Sequence, residues 1–325
     1  MSTVTKTSEQ MLYLMACALQ GVSAQEEFLA DVDLQQLFIM ARTHSVAAMV
    51  CMALEKTAIF AGADDAVKKH WREAKNKAIR KNMLLDAERA AIMMQLESAG
   101  IWHMPLKGSI LKDWYPKPGM REMADNDILF DPSERKRVRG IFQSRGYKIV
   151  SFGKGNHDEY EKPPLYHFEM HVSLFHEMYP KLAGQYRNVK EKLLPVDGTV
   201  CQFAFTPEDF YVFALAHAYK HYSGSGTGVR TLADFYVMNH HLGGIMNRDE
   251  VEQKLTRLGI AEYEQHSRVL AEKLFSGVRP LPELELNTDE KEMLRFYCDA
   301  TAYGTIDNQV QNRLQELQGN AEGIT

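Results

Sequence analysis

Three short stretches between residues 105 and 171 decide how this chain of 325 residues is interpreted. Residues 105–109 are PLKGS, residues 124–130 are ADNDILF, and residues 168–171 are FEMH. An apolar run that meets charged or small residues is typical of a short strand ending at a polar site. We therefore expect 101–106, 123–130 and 165–174 to be strands of one sheet.

Two aspartates, Asp125 and Asp127, enter the second of these strands. Side chains two residues apart in a strand point to the same face, so these carboxylates are predicted to lie side by side. They would repel each other, and a hard divalent cation that takes oxygen ligands would neutralise them. The pair is thus a candidate metal site, although an exposed strand edge would also explain Asp-x-Asp taken alone.

The PLKGS stretch is predicted to turn from strand to helix at Gly108 and Ser109. A helix start there would offer free backbone N–H groups and a hydroxyl to a phosphate. Lys107 directly precedes the Gly-Ser turn, and Arg121 lies four residues before Asp125. Arginine binds phosphate with a bidentate fork and lysine as a point charge. The alternative for both cations is a salt bridge to the acidic residues.

A third carboxylate is expected from the strand at 165–174, which has a polar and an apolar face. The polar face carries His167, Glu169, His171 and Ser173. Glu169 is the preferred residue because it shares this face with His171, which either orients a ligand or is a hydrogen-bonded structural histidine. Three carboxylates of the preceding strand remain alternatives: Asp158, Glu159 and Glu161.

The order of these motifs resembles the polymerase-β-like nucleotidyltransferase superfamily. Its pattern is a Gly-Ser or Gly-Gly helix start, then Asp-x-Asp, then an Asp or Glu on a neighbouring strand. The finer pattern is similar to a bacterial family of uncharacterised nucleotidyltransferases, with Asn126 at a position that is usually apolar. It consists of Leu106-Lys107-Gly108, Arg121, Asp125, Asp127 and Glu169-Met170-His171.

This resemblance implies an α+β fold, with a mixed sheet core between N- and C-terminal helical regions. It also implies transfer of a nucleoside monophosphate from an NTP, with ATP favoured, to an acceptor hydroxyl, with release of pyrophosphate. Asp125 and Asp127 would hold one Mg²⁺, and a second ion would lie between them, the acceptor and Glu169. Mn²⁺ is the alternative metal. Glu169 is also the candidate acceptor of the hydroxyl proton.

A helix predicted in the C-terminal third carries His217, Lys220 and His221 on one side, at i, i+3 and i+4. Two histidines four residues apart can bind zinc, but no third ligand lies near them in the sequence. The resemblance places these residues in the nucleotide cleft, together with Arg230 and Asp234 of the following helix. Ordinary surface polarity is the alternative.

Hydrophobic periodicity predicts a helical region at 1–100, the catalytic core at 101–204 and a C-terminal helical domain at 205–325. Helix breaks are expected at residues 43–45 and at Gly100, and a helix start is expected at Asp131-Pro132-Ser133-Glu134. A helix is expected to continue to about residue 318, with a frayed end at 319–325.

Composition narrows the classes of partner. The net charge is −5, which argues against broad, charge-driven nucleic-acid binding, so DNA is not expected as a partner and RNA is mildly disfavoured. The four separated cysteines and the absence of an apolar run of ~20 residues predict a cytoplasmic protein with no membrane partner. The acceptor stays open among a small molecule, a protein and RNA. A catalytically silent nucleotide- or partner-binding protein, and the toxin of a toxin–antitoxin pair, are the rival functions.

Overall fold

The computed structural model describes residues 4–301. The N-terminal region is helical, as predicted. Its helices are α1 (Lys6–Gln20), α2 (Leu34–Thr43), α3 (Ala47–Leu54), α4 (Ala58–Gly62) and α5 (Asp65–Ser98). The break between α2 and α3 falls where it was predicted. The end of α5 is also confirmed, and Gly100 follows it with a left-handed φ of 69°.

Helix α5 is 34 residues long and packs along one narrow stripe. Trp71, Ala78, Leu85 and Ile92 are buried and recur every seven residues, which keeps them on one side of the helix. Leu84, next to Leu85, is 46% exposed. The buried surface of α5 is therefore a narrow stripe.

Five strands form a mixed sheet in the order β1-β2-β5-β4-β3, which confirms the predicted α+β fold class. They are β1 (His103–Pro105), β2 (Asn126–Phe130), β3 (Lys148–Ser151), β4 (His157–Lys162) and β5 (Tyr166–His171). β2 and β5 run parallel, and the other neighbouring strands run antiparallel. The parallel register sets Asp127 beside Glu169.

The strands are shorter than predicted at the ends that face the site. β1 ends at Pro105, and the chain turns away at Lys107 into the short helix α6 (Gly108–Leu111). Residues 123–125 are consequently outside the sheet, and Asp125 directly precedes β2 instead of lying within it. The expectation that both aspartates belong to one strand is therefore wrong for Asp125.

Helix α7 (Arg135–Ser144) crosses the sheet after a single turn at Pro132–Glu134, with Asp131 accepting a hydrogen bond from the Ser133 N–H. The predicted helix start is confirmed. Apolar side chains of α5, α7 and the sheet form one core cluster: Ile92, Leu96, Ile101, Ile128, Phe130, Val138, Phe142, Tyr147, Tyr160, Phe168 and Met170.

The C-terminal part is mainly helical. It contains α8 (Pro180–Gln185), the strand pair β6 (Leu194–Pro195) and β7 (Phe203–Ala204), α9 (Pro207–Ser223), α10 (Arg230–Leu242), α11 (Arg248–Leu258), α12 (Ala261–Phe275) and α13 (Thr288–Asp299). Helix α1 packs against both α3 and α12, so the N- and C-terminal helices share one hydrophobic core. This shared core leaves the sheet between them with a cleft at its β2–β5 end.

Within residues 4–301, no helix is both long and apolar enough to cross a bilayer. The predictions of a helix reaching residue 318 and of a frayed end at 319–325 lie outside the described residues.

Candidate active site

A cavity of about 400 Å³ lies between the β2–β5 end of the sheet and helices α9 and α10. This volume suits a small-molecule ligand. Twelve of the thirteen predicted site residues line it: Lys107, Gly108, Arg121, Asp125, Asp127, Glu169, His171, His217, Lys220, His221, Arg230 and Asp234. The fold thus brings together side chains that are up to 127 positions apart in the sequence (Lys107 to Asp234).

Asp127 is the centre of the acidic wall. Its Oδ1 atom accepts hydrogen bonds from Lys107 Nζ at 2.9 Å and from His171 Nε2 at 2.8 Å. The same Nε2 atom lies 3.4 Å from Glu169 Oε2. Burial opposes ionisation of Asp127, but Lys107 and the His171 hydrogen bond outweigh it and hold its pKa well below the ordinary value.

Asp125 has the opposite character. Burial, followed by repulsion from Asp127 and Glu169, raises its pKa to about 6. Burial also opposes ionisation of Glu169, yet its interaction with His171 lowers the pKa of that carboxyl. Three carboxylates therefore converge, with Lys107 in direct contact with Asp127, and their mutual repulsion favours a bound cation.

The turn that carries Lys107 has an unusual backbone. Lys107 has φ 47° and ψ −115°, a left-handed conformation that costs a side-chain-bearing residue on the order of 1–3 kcal/mol. Two hydrogen bonds hold it against β2: the Leu106 N–H donates to the Asp127 carbonyl at 3.0 Å, and the Lys107 ammonium donates to the Asp127 carboxylate. The strained turn fixes the lysine beside the aspartates.

Gly108 leaves room for the Arg121 side chain. A Cβ at Gly108 would lie 2.4 Å from Arg121 Nη1 and 3.1 Å from Met123 Cε. The guanidinium is itself held by Asp234 through bonds of 2.7 Å and 3.0 Å, and the Tyr115 hydroxyl donates to the same carboxylate at 2.6 Å. Arg121 therefore pairs with α10, whereas the sequence alternative was a pairing with the acidic residues of the core.

We expect Gly108→Ala to destabilise the protein by about 1–3 kcal/mol, because the added methyl group displaces the buried Arg121–Asp234 pair. Urea unfolding measures the change. Gly140→Ala is the matched control, since Gly140 lies in α7 and an added Cβ there meets nothing within 4 Å. That control should be neutral or slightly stabilising. Equal stability of Gly108→Ala and the unaltered protein would contradict the close approach.

Ser109 is the one predicted site residue that does not line the cavity. Its side chain is buried, and its Oγ donates to the Leu106 carbonyl at 2.8 Å. This bond closes the first turn of α6 and directs the hydroxyl away from the aspartates. The prediction that the Ser109 hydroxyl contacts phosphate is therefore corrected: Ser109 shapes the turn.

Helix α9 supplies the wall opposite the carboxylates. His217 Nε2 lies 3.0 Å from His221 Nε2, and burial lowers the pKa of His221 to about 4 and that of His217 well below its ordinary value. Lys107 and Lys220 add to both shifts. Both imidazoles are therefore neutral at pH 7. In the described part of the chain, no third ligand residue joins these two histidines in a cluster.

Sequence reasoning missed His157. It lies opposite His171 across β4 and β5, and together with Glu169 these residues offer three ligand atoms within 4.8 Å of one another. The Nδ1 atoms of His157 and His171 are both buried without a hydrogen-bond partner. A turn of residues 163–164 alone would pair position 157 with 170, and the three-residue turn 163–165 of the structure is what sets it opposite 171.

The alternative third carboxylates are not among the residues that line the cavity. Asp158 is fully buried and forms two hydrogen bonds to Arg135, at 2.7 Å and 2.6 Å. Arg135, at the start of α7, is thus the partner of this buried carboxylate. Glu159 and Glu161 do not line the cavity. The Oε1 atom of Glu161 lies 3.3 Å from His167 Nδ1.

Asn126, at a position where the related pattern is usually apolar, anchors β2 to α5. It is fully buried, donates to the Leu85 carbonyl at 3.1 Å and accepts from Arg89 at 3.0 Å. Both polar ends of its amide are thereby satisfied, which removes the cost of burying them. The residue between the aspartates fixes the strand that carries them.

Comparison with known proteins found one family and one solved structure to report. Residues 30–276 match the model of a family described as uncharacterised nucleotidyltransferase. A solved structure of an antigenic nucleotidyltransferase-like protein from Paracoccidioides brasiliensis also matches, with 15% identity and a TM-score of 0.35 over 61% of this chain and 97% of that one. No curated protein matches. Because the family model spans most of the chain, the protein belongs to the family of uncharacterised nucleotidyltransferases.

Proposed function

We propose that this enzyme transfers a nucleoside monophosphate from an NTP, with ATP favoured, to an acceptor hydroxyl in a reaction that requires Mg²⁺. The observation that carries the proposal is the convergence of Asp125, Asp127 and Glu169 in one cavity whose other wall carries Lys220 and Arg230. Carboxylates suit a metal ion, and the cations opposite them suit phosphates.

The residues present fit the divalent metal. Asp125, Asp127 and Glu169 offer oxygen ligands, and the raised pKa of Asp125 reflects a site that gains from added positive charge. Bound Mg²⁺ would offset the charge of the triphosphate and of the departing pyrophosphate. His157 and His171 add imidazole nitrogens beside the carboxylates, a donor set that also suits Mn²⁺.

The chain's own cations would position the nucleotide. Lys107 and Lys220 face the cavity from opposite walls, and Arg230 lies at its rim. Burial lowers the pKa of Lys220, with Lys107 adding to the shift while Glu169 and Asp127 oppose it. The neutral imidazoles of His217 and His221 provide hydrogen bonds without further charge. Such fixed groups favour in-line geometry at the α-phosphate.

Glu169 would accept the proton of the acceptor hydroxyl. It lies on β5 beside Asp127 and close to His171. Burial lowers the pKa of His171, but the hydrogen bonds with Asp127 and Glu169 outweigh burial and raise that pKa above its ordinary value. The hydrogen bond with His171 lowers the pKa of Glu169 and so favours its ionised form, as a general base requires. Glu169 is therefore placed to act on a group held next to the aspartates.

The finer assignments belong to this proposal too. We place the chain in the polymerase-β-like superfamily, on the motif order alone, and divide it at residues 100 and 204, next to the ends of α5 and β7. Four free cysteines suit a reducing compartment such as the cytoplasm. The acceptor is a small molecule, a protein or RNA.

The transfer assay tests this function. Each NTP, labelled at the α-phosphate, is incubated with the enzyme, Mg²⁺ and a cell extract, and the extract is examined for a component that acquires label. We expect label transfer to one class of acceptor and release of pyrophosphate. Nucleotide binding without any transfer would favour a silent binding protein instead.

We further expect Mg²⁺ and an NTP together to raise the melting temperature more than either does alone. The reason is that the positive metal ion and the negative triphosphate neutralise each other's charge in the site. Binding to the folded state adds about 2.7 kcal/mol of stability at a hundredfold excess over Kd. Differential scanning fluorimetry with each of the four NTPs measures the shift. The absence of a shift with every NTP over a wide concentration range would contradict nucleotide binding.

A further inference from the structure

A second cavity, of about 190 Å³, adjoins the first on the side of the N-terminal helices. Four residues line both cavities: Glu122, Met123, Ala124 and Arg230. Residues 122–124, just before Asp125, thus form a wall that the two adjoining cavities share. The remaining lining comes from α2, the following turn and α5: Arg42, Ser45, Ala74, Lys77, Ala78 and Lys81.

The lining of this second cavity is strongly basic. Its cations are Arg42, Lys77, Lys81 and Arg230. Among residues 4–301, none of them forms a salt bridge with a carboxylate, and Arg230 donates only to the Glu122 carbonyl, at 3.2 Å. Glu122 is the one carboxylate of this lining against four cations, so the cavity carries a net positive charge that attracts an anion.

The single carboxylate of the lining is already engaged. The Ala48 N–H donates to Glu122 Oε1 at 3.0 Å, at the start of α3. Glu122 therefore holds a helix end and offsets only part of the positive charge. An incoming anion with two or more oxygens would meet several unused N–H donors here.

Lys81 connects this basic cavity to the metal-binding wall. Burial lowers the pKa of Lys81, Asp125 opposes that shift, and Lys77 adds to it. The ammonium is thus within electrostatic range of both the aspartate and the other lysine. A group bound at Lys81 would lie next to the reacting centre, on the side away from α9.

We propose that this basic cavity binds a phosphate group of the acceptor, so that the acceptor is itself a phosphorylated molecule. The inference rests on the proposed nucleotidyltransferase function. In-line transfer separates the attacking hydroxyl from the leaving pyrophosphate on opposite sides of the α-phosphate. Cations lie on both sides of the aspartates. Lys220 of α9 would bind the triphosphate, and Lys77 and Lys81 of α5 would bind the phosphate group of the acceptor.

The test compares phosphate binding with nucleotide binding. Isothermal titration with inorganic phosphate, in EDTA, is carried out on the unaltered protein and on the double variant Lys77→Gln, Lys81→Gln. We expect the double variant to bind phosphate at least fivefold more weakly. Its affinity for Mg²⁺–ATP should stay within twofold, because the triphosphate uses other cations.

Arg80→Gln is the matched control, since it removes a positive charge from α5 at an exposed position that lines neither cavity. It should change phosphate affinity by less than twofold. An equal loss in Arg80→Gln, or no loss in the double variant, would overturn the subsite. A parallel loss of Mg²⁺–ATP affinity in the double variant would assign the cavity to the nucleotide and overturn the acceptor assignment.

The two proposals fail differently. If the unaltered protein binds no Mg²⁺–NTP, the nucleotidyltransferase mechanism fails, whatever the phosphate titration shows. If it binds Mg²⁺–NTP and transfers label, but phosphate affinity is insensitive to Lys77 and Lys81, only the acceptor subsite fails.

Discussion

Replacing Asp125 and Asp127 together by asparagine is expected to abolish metal-dependent nucleotidyl transfer while the fold is retained. An amide can neither neutralise a divalent cation nor replace the charge of two carboxylates in a partly buried site. The assay is label transfer from α-labelled NTP, with urea unfolding measured in parallel. Asp64→Asn with Asp65→Asn removes the same charge at the start of α5, outside the cavity lining, and should leave transfer unchanged.

The two single substitutions should affect stability in opposite directions. Asp125 has a pKa raised to about 6, so its ionisation above that pH disfavours folding, and Asp125→Asn should be neutral or stabilising at pH 7. Asp127 is the counter-ion of Lys107 and accepts from His171, so Asp127→Asn should destabilise by roughly 3–5 kcal/mol. Normal transfer by the double variant would refute the metal site.

The part of the site that could be predicted is the part encoded by local pattern. The Gly100 helix end and the Asp131 helix start follow from capping chemistry, which depends on neighbours a few residues away. Asp125, Asp127 and Glu169 follow from motif order and the family resemblance. The fold class, with helices on either side of a mixed sheet, follows from that resemblance too.

The part that could not be predicted depends on contacts between distant segments. Arg121 pairs with Asp234, 113 positions away, and no spacing rule selects that partner over the nearby aspartates. The Ser109 hydroxyl turns to the Leu106 carbonyl because a buried hydroxyl takes the closest acceptor. The basic cavity gathers Arg42 and Lys81 with Arg230 only after α2, α5 and α10 have packed.

We expect Glu169→Gln to separate chemistry from binding. Asp125 and Asp127 can hold a metal–triphosphate complex without a third carboxylate, so the variant should bind Mg²⁺–NTP within several-fold of the unaltered protein. Glutamine has the same shape as glutamate but cannot accept the acceptor's proton at neutral pH. Transfer should therefore fall by about 10²–10⁴-fold, the usual contribution of a general base. Single-turnover label transfer and fluorimetric NTP titration measure the two quantities.

Two neighbouring carboxylates make this prediction specific to Glu169. Glu159 pairs with Glu169 across β4 and β5, and Glu161 pairs with His167 on the same strands, yet neither lines the cavity. Glu159→Gln and Glu161→Gln should therefore bind and transfer normally, although each removes the same charge from the same sheet. If Glu169→Gln transfers normally while one of these variants is inactive, the third carboxylate belongs to β4. If Glu169→Gln loses binding and transfer equally, Glu169 serves the metal–nucleotide complex itself and the proton must leave by another group.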